Sequence, residues 1–256
     1  MKQVTWNGIR AALLLCVFGV TWNTPQVVAQ CCGDCNGDGQ VTVDELVKAV
    51  NRALGSCQDD GICSQSSGQR FPATGQTTCW DTNGNVIACS GTGQDGQIQA
   101  GGALAYVDNG DGTITDLNTH LMWEKKSADG SIHDQSNLYG WADAFSTFIG
   151  GLNAGGGFAG HTDWRLPNVK ELQSIINYQN VNYQNVNLAV STAFNANCAP
   201  DCTVTTCSCT QSNDYWSSTT YQDIPNDAWF VNFSYGGDSA NSKSSNYYVR
   251  AVRGGL

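Results

Sequence analysis

Asp34, Asn36, Asp38, Gln40 and Glu45 occupy positions 1, 3, 5, 7 and 12 of the stretch DCNGDGQVTVDE, and Gly39 occupies position 6. This is the ligand spacing of an EF-hand loop. Side-chain oxygens come from 1, 3 and 5, a backbone carbonyl from 7 and a bidentate carboxylate from 12, while glycine permits the sharp turn at 6. Thr42 at position 9 can ligate directly or through water. The expected cofactor is Ca2+. From about Val43 to Leu54, residues Leu46, Val47, Val50 and Leu54 share one helical face, and Gly55 can cap that helix. No entering helix fits before the loop. The stretch DNGDGTITD at Asp108 fails the ligand test and reads as a Gly-rich hairpin turn.

The second group with chemistry is the cysteines, of which there are 12. A leader is expected at residues 1–29: Lys2 and Arg10 precede a short apolar run, AALLLCVFGV, and Val27 and Ala29 suit a cleavage site before Gln30. Cys16 leaves with that leader, so an odd number of cysteines remains. In an oxidising compartment most of these are disulfide candidates, with one over. Cys79 and Cys89 flank WDTNGNVIA, whose Asn83-Gly84 signals a two-residue hairpin, and they are expected to pair. Cys57 with Cys63 closes another loop. Cys198, Cys202, Cys207 and Cys209 crowd a third. Zinc is the alternative for Cys202, Cys207 and Cys209, but the spacing is that of neither a ribbon nor a finger and no histidine is near.

Catalytic motifs are absent from the sequence: no nucleophile elbow, no His-Glu-x-x-His and no P-loop. His120, His133 and His161 stand apart, the nearest acid to each being a loop aspartate. The expectation is a protein that is not an enzyme. The net charge of −10 argues against nucleic acid, which needs a basic face, and basic residues are scattered apart from Lys125-Lys126. No segment of the mature chain is long and apolar enough to span a membrane.

The elements that must position these groups divide the 256 residues into the leader, a calcium loop-helix (30–56), a Cys/Gly-rich linker with a disulfide hairpin (57–100) and a main domain (101–256). Only 13% of residues are charged while 41% are hydrophobic, which suits a loop-rich extracellular domain with a real core. Leu138, Trp141, Ala142, Phe145, Phe148 and Ile149 recur at helical spacing up to Gly150-Gly151. A second helix starts with Pro167 and carries Val169, Leu172, Ile175 and Ile176. ALAYVD, TITD, LMWEK, AWFVNFS and YYVRAVR read as short strands. The fold class is α+β. The tandem NYQNV from Asn177 to Val186 reads as a duplicated loop insertion. Trp164 and Leu166 are expected in the core, with Arg165 pairing Asp163 or a buried carboxylate; Trp123, Trp216 and Trp229 are expected to fill the core.

The succession DNGDGTITDLNTHLMWEKK, WADAFSTFIGGLN, HTDWRLPNVKELQSIINY, DYWSSTTY, AWFVNFSYGG and NYYVRAVRGG resembles the Lcl C-terminal domain family of collagen-like bacterial adhesins. RFPATGQTTCWDTNGNVIACSGTGQDG also resembles a segment that precedes such domains. The resemblance implies a C-type-lectin-like fold, a secreted or cell-surface location and a binding role, with sulfated glycosaminoglycans as ligands of one family adhesin. It implies no catalysis: related formylglycine-generating enzymes use copper-binding cysteines near their last strand, and NYYVRAVRGG has none. The loop-helix at 30–56 resembles half of a dockerin, whose docking function uses two such repeats. The long loop before the last strands offers Tyr215, Tyr221, Asp223, Asn226 and Asp227 as ligand-binding residues, a mix of rigid aromatics and adaptable polar groups that suits recognition; the bland alternative is a solvated cover. The expected partner is a glycan or extracellular surface ligand. The alternative is a structural subunit of an extracellular assembly, self-associating through Cys31, Cys32 or Cys35.

Overall fold

The computed structural model describes residues 71–181 and 188–254. The leader, the loop Asp34–Glu45 and its helix, Cys57, Cys63 and the second NYQNV copy lie outside the described residues.

The elements follow in chain order: β1 (Cys79–Trp80), β2 (Val86–Ile87), the one-turn helix α1 (Asp95–Ile98), β3 (Tyr106–Asp108), β4 (Thr113–Asp116), β5 (Met122–Glu124) and β6 (Tyr139–Gly140). A helical run, α2, then joins Trp141–Asp143, the π-helical Ala144–Ile149 and Gly150–Asn153, and α3 spans Val169–Ser174. The last strands are β7 (Asp214–Thr220), β8 (Asp227–Asn232), β9 (Asp238–Ser242), β10 (Asn246–Tyr247) and β11 (Val252–Arg253). The class is α+β, mostly β. Strand order is β11-β5-β4-β3 in one sheet and β7-β8-β9 in another, with β1-β2 and β10-β6 as separate pairs, all antiparallel. Pairing of β11 with β5 brings the end of the chain back beside its middle, with Val252 opposite Trp123.

Local chemistry explains the turns. Between β3 and β4 the Asp111 carboxylate accepts from both the amide and the hydroxyl of Thr113, and Asn109 reaches Thr113 and Thr115. Gly112 sits at φ +97, where an added Cβ would lie 2.8 Å from Val204 and 2.9 Å from Phe158, so only glycine fits. The Gly-rich hairpin expected here is the one that forms. The β1–β2 turn departs from expectation. Asp81 and Asn85 pair across Thr82, Asn83 and Gly84, with Gly84 N–H donating to the Asp81 carbonyl and only Gly84 at positive φ (+83). It is a three-residue turn ending in a left-handed glycine, not a two-residue one. The Asp81 carboxylate selects it by accepting from the amides of Asn83 and Asn85. The Cys79–Cys89 disulfide closes this hairpin, with a Cα–Cα distance of 5.2 Å.

Both helices differ from the pattern read in the sequence. Leu138 lies before α2 and is exposed, and the helix runs through Gly150-Gly151 to Asn153. The π turn inside it adds a residue per turn and keeps Ala144, Phe148, Ile149 and Leu152 buried on one side. Pro167 is not helical. It is buried just before the cap, and Asn168 forms a capping box with Glu171 that starts α3.

Two cores result. One gathers Ile114, Leu121, Trp123, Leu172, Ile175, Phe194, Tyr215 and Phe233; the other Phe148, Leu152, Trp164, Leu166, Trp216, Phe230 and Val249. Tyr215 and Trp216 are adjacent on β7 and belong to different cores, so this strand is buried on both faces. Residues 71–105 are bonded to the body: Tyr178 donates to the Thr74 carbonyl, Leu117 to that of Ala105, and the Gln179 side chain accepts from the amides of Thr77 and Thr78.

Candidate functional site

The β7–β8 connection is the exposed ledge to which sequence reasoning pointed. Tyr221 N–H donates to the Asp227 carbonyl and Asp227 N–H to that of Ile224, which closes the loop on itself. Lys243 locks it from below. Its backbone N–H donates to Asn226 and its Nζ donates to Thr220 Oγ1 and the Pro225 carbonyl, each at 2.9 Å, while resting 4.1 Å from the Trp141 ring centroid. Trp141 is held in turn by Nε1 donating to the Ser217 carbonyl and by the edge of Phe145. On the ledge, Tyr221 meets Trp229 edge to face at 5.3 Å. Asp223 and Asn226 are exposed, Asp227 is half-buried, and the side chains of all three make no hydrogen bond among the described residues. A rigid aromatic pair thus stands beside polar groups with open bonding capacity.

Tyr215 does not join them. It is 1% exposed, stacked on Phe233 at 4.2 Å, and its hydroxyl accepts from Gln211 N–H. Burial pushes its phenol up to about 12. The physical reason is that β7 is sandwiched between the two cores, so the expected exposed face does not exist. Trp229 errs in the opposite direction: expected in the core, it is half-buried on the ledge. Trp123, Trp164, Trp216 and Leu166 are core residues as expected.

The cations are spoken for. Lys125 pairs with Asp108 at 2.7 Å, Arg253 with Asp163, and Arg165 clasps Glu171 through both terminal nitrogens. Arg165 was expected to take Asp163 or a buried carboxylate. Glu171 wins because the capping box already holds its carboxylate at the start of α3. Lys126 and Arg250 are buried, and Lys170 donates to Gln173 at the surface.

Sequence reasoning missed a buried ionic cluster. Glu124 is fully buried; its Oε1 takes His133 Nδ1 at 2.8 Å and Lys126 Nζ at 3.2 Å, and its Oε2 accepts Ala251 N–H. His133, expected to stand apart with only loop aspartates near, is therefore a partner of Glu124. Burial opposes the Glu124 charge, but Lys126, His133 and the Ala251 amide outweigh it and hold the carboxyl below its ordinary value. Arg250 spans the cluster's edge, donating to the carbonyls of Glu124 and Cys209 and to Thr210 Oγ1. The signal in the sequence is only the i, i+2 spacing of Glu124 and Lys126, which would share a face if the chain stayed extended past β5.

Beside this cluster lie the disulfides Cys198–Cys209 and Cys202–Cys207. Their sulfurs are bonded to each other, which removes the thiolates that the zinc alternative requires in this state.

Residues 112–253 match the family model of the Lcl C-terminal domain. The chain belongs to that family. The match begins at the glycine of the β3–β4 turn and ends on β11, so this Lcl C-terminal domain takes in both cores, the ionic cluster and the ledge. No curated protein matches the chain.

Proposed function

We propose that this protein is a secreted or cell-surface binding protein without catalytic activity, whose Lcl C-terminal domain, read as C-type-lectin-like, takes a neutral or weakly charged glycan on the ledge of Tyr221, Trp229, Asp223, Asn226 and Asp227. The observation that carries this reading is the pairing of a half-exposed aromatic couple with polar side chains that have no hydrogen-bond partner among the described residues. Aromatic faces cover the apolar side of a sugar ring, and carboxylate and amide groups bond its hydroxyls. The disulfides support an oxidising, extracellular setting. No helix among the described residues is long and apolar enough to cross a membrane.

The charge pattern supports a departure from the sulfated ligands that the family resemblance implies. Sulfate recognition needs cations facing solvent, and among the described residues every cation except Lys170 is buried, paired with a carboxylate or clamped on a carbonyl. Asp223 and Asp227 would repel a polyanion at the ledge itself. Ca2+ at Asp34–Glu45 is assigned a structural role, ordering the helix that follows it. A panel of neutral and sulfated glycans, probed with the mature chain with and without calcium, tests the reading: binding confined to neutral glycans supports it, and binding confined to sulfated ones contradicts it.

A further inference from the structure

Cys198, Cys202 and Cys209 gather their sulfurs in one cluster, with Cys207 at its edge. The sulfurs of Cys198, Cys202 and Cys209 lie within 4.8 Å of one another. Between the two disulfides, Cys202 Sγ is 3.7 Å from Cys209 Sγ, and Cys209 Sγ is 3.8 Å from Cys207 Sγ. In a tetrahedral zinc tetrathiolate, zinc–sulfur bonds of about 2.3 Å set the sulfurs about 3.8 Å apart. Two of the unbonded pairs, Cys202–Cys209 and Cys207–Cys209, already have that spacing; the two bonded pairs would have to part, and Cys198 and Cys207 to draw together.

The surroundings suit such a site. Gln135 Nε2 donates to Cys198 Sγ at 3.3 Å, an outer contact of the kind that orients a thiolate ligand. Arg250 is fully buried and bonds the Cys209 carbonyl at 2.7 Å, which sets a fixed positive charge beside what would become a doubly negative centre. The backbone holds the loop independently of the sulfurs: Cys209 N–H donates to Lys126, Ala128 N–H to Cys202, Asp201 N–H to Ala128, and Ala196 and Ser208 exchange two bonds. Opening the disulfides therefore does not release the loop. Access is graded, with Cys198 exposed, Cys202 half-buried and Cys207 and Cys209 buried.

We propose that these four cysteines form a second, redox-gated metal site, which takes one zinc ion as a tetrathiolate once an external dithiol has reduced both disulfides. Attack of the dithiol on Cys198 releases the Cys209 thiolate, and the second thiol of the same reductant frees Cys198 as the reductant closes to its own disulfide. A second dithiol reduces Cys202–Cys207 in the same way. Four electrons enter, two oxidised dithiols leave, and Zn2+ displaces the thiol protons.

The test uses the full chain, reduced with a phosphine under anaerobic conditions and titrated with Co2+ as the optical probe. The expected result is one cobalt per chain with the intense visible bands of a tetrahedral thiolate complex, bleached by one equivalent of Zn2+. The bands should persist when every other cysteine is replaced by Ser, and vanish in Cys202→Ser/Cys207→Ser. Near-UV circular dichroism reports the fold in each case. Bands that survive Cys202→Ser/Cys207→Ser, a folded reduced chain that takes up no cobalt, or a reduced chain whose near-UV signal is lost and does not return with zinc would each overturn the proposal.

Discussion

Glu124 is the residue on which the interior charge balance turns. It contacts Lys126 directly at 3.2 Å, and breaking such a pair leaves a buried cation uncompensated at a cost of about 3–5 kcal/mol. Glu124→Gln should lower stability by that order, read as a shift in the urea midpoint at neutral pH. The sign with pH follows from the depressed carboxyl. A group held below its ordinary value of 4.5 contributes stability in full above that value and loses it as pH falls through the folded value. The parent should therefore lose stability on acidification below the ordinary glutamate range, and the Gln variant should lose less over the same interval. An acid limb of equal depth in both proteins would contradict the assignment. The expected strand LMWEK stopped at Lys125, one residue short of Lys126, so neither the pair nor its burial was legible. Nothing local reveals that Arg250, from the far end of the chain, and His133 close over it.

At the scale of elements, the sequence announced most strands and both longer helices, and it misplaced their limits. The α2 pattern survives Gly150-Gly151 because neighbouring core contacts, rather than propensity, decide where a helix stops. YYVRAVR read as one strand and is two, β10 pairing with β6 and β11 with β5, because Val249 and Ala251 turn into the second core. Tyr215 illustrates the same limit: a strand covered on both faces loses the alternation that tells inside from outside. The Asn168 cap is a local device with a measurable worth. Its side chain accepts Glu171 N–H at 2.9 Å, and Glu171 in turn is the partner of Arg165. Asn168→Ala should cost about 1 kcal/mol, read by thermal melting, with Asn168→Asp close to the parent. A loss in Asp equal to that in Ala would show that the amide serves something other than the cap.

For the whole molecule, the order of motifs pointed to the family that the match over residues 112–253 shows. The ledge was half legible. Tyr221, Asp223, Asn226 and Asp227 lie together at the β7–β8 connection, whereas Trp229 emerged only once β8 was paired between β7 and β9. The acidic surface makes a prediction of its own. The mature chain should pass through a heparin column at low ionic strength, where screening is weakest; firm retention would reveal a basic patch that the described cations do not form. The calcium loop makes another. Isothermal titration of the mature full chain should show one calcium site whose heat disappears in Glu45→Gln, and an unchanged heat would remove the bidentate ligand from the account. The most direct measurement of the central claim is the affinity of the mature chain for a neutral glycan selected from the panel, compared with that of Tyr221→Ala/Trp229→Ala. If the ledge is the binding surface, the double variant keeps its near-UV circular dichroism and its melting temperature and loses at least tenfold in affinity. Equal affinity in parent and variant would contradict the assignment of the ledge and leave it as solvated cover.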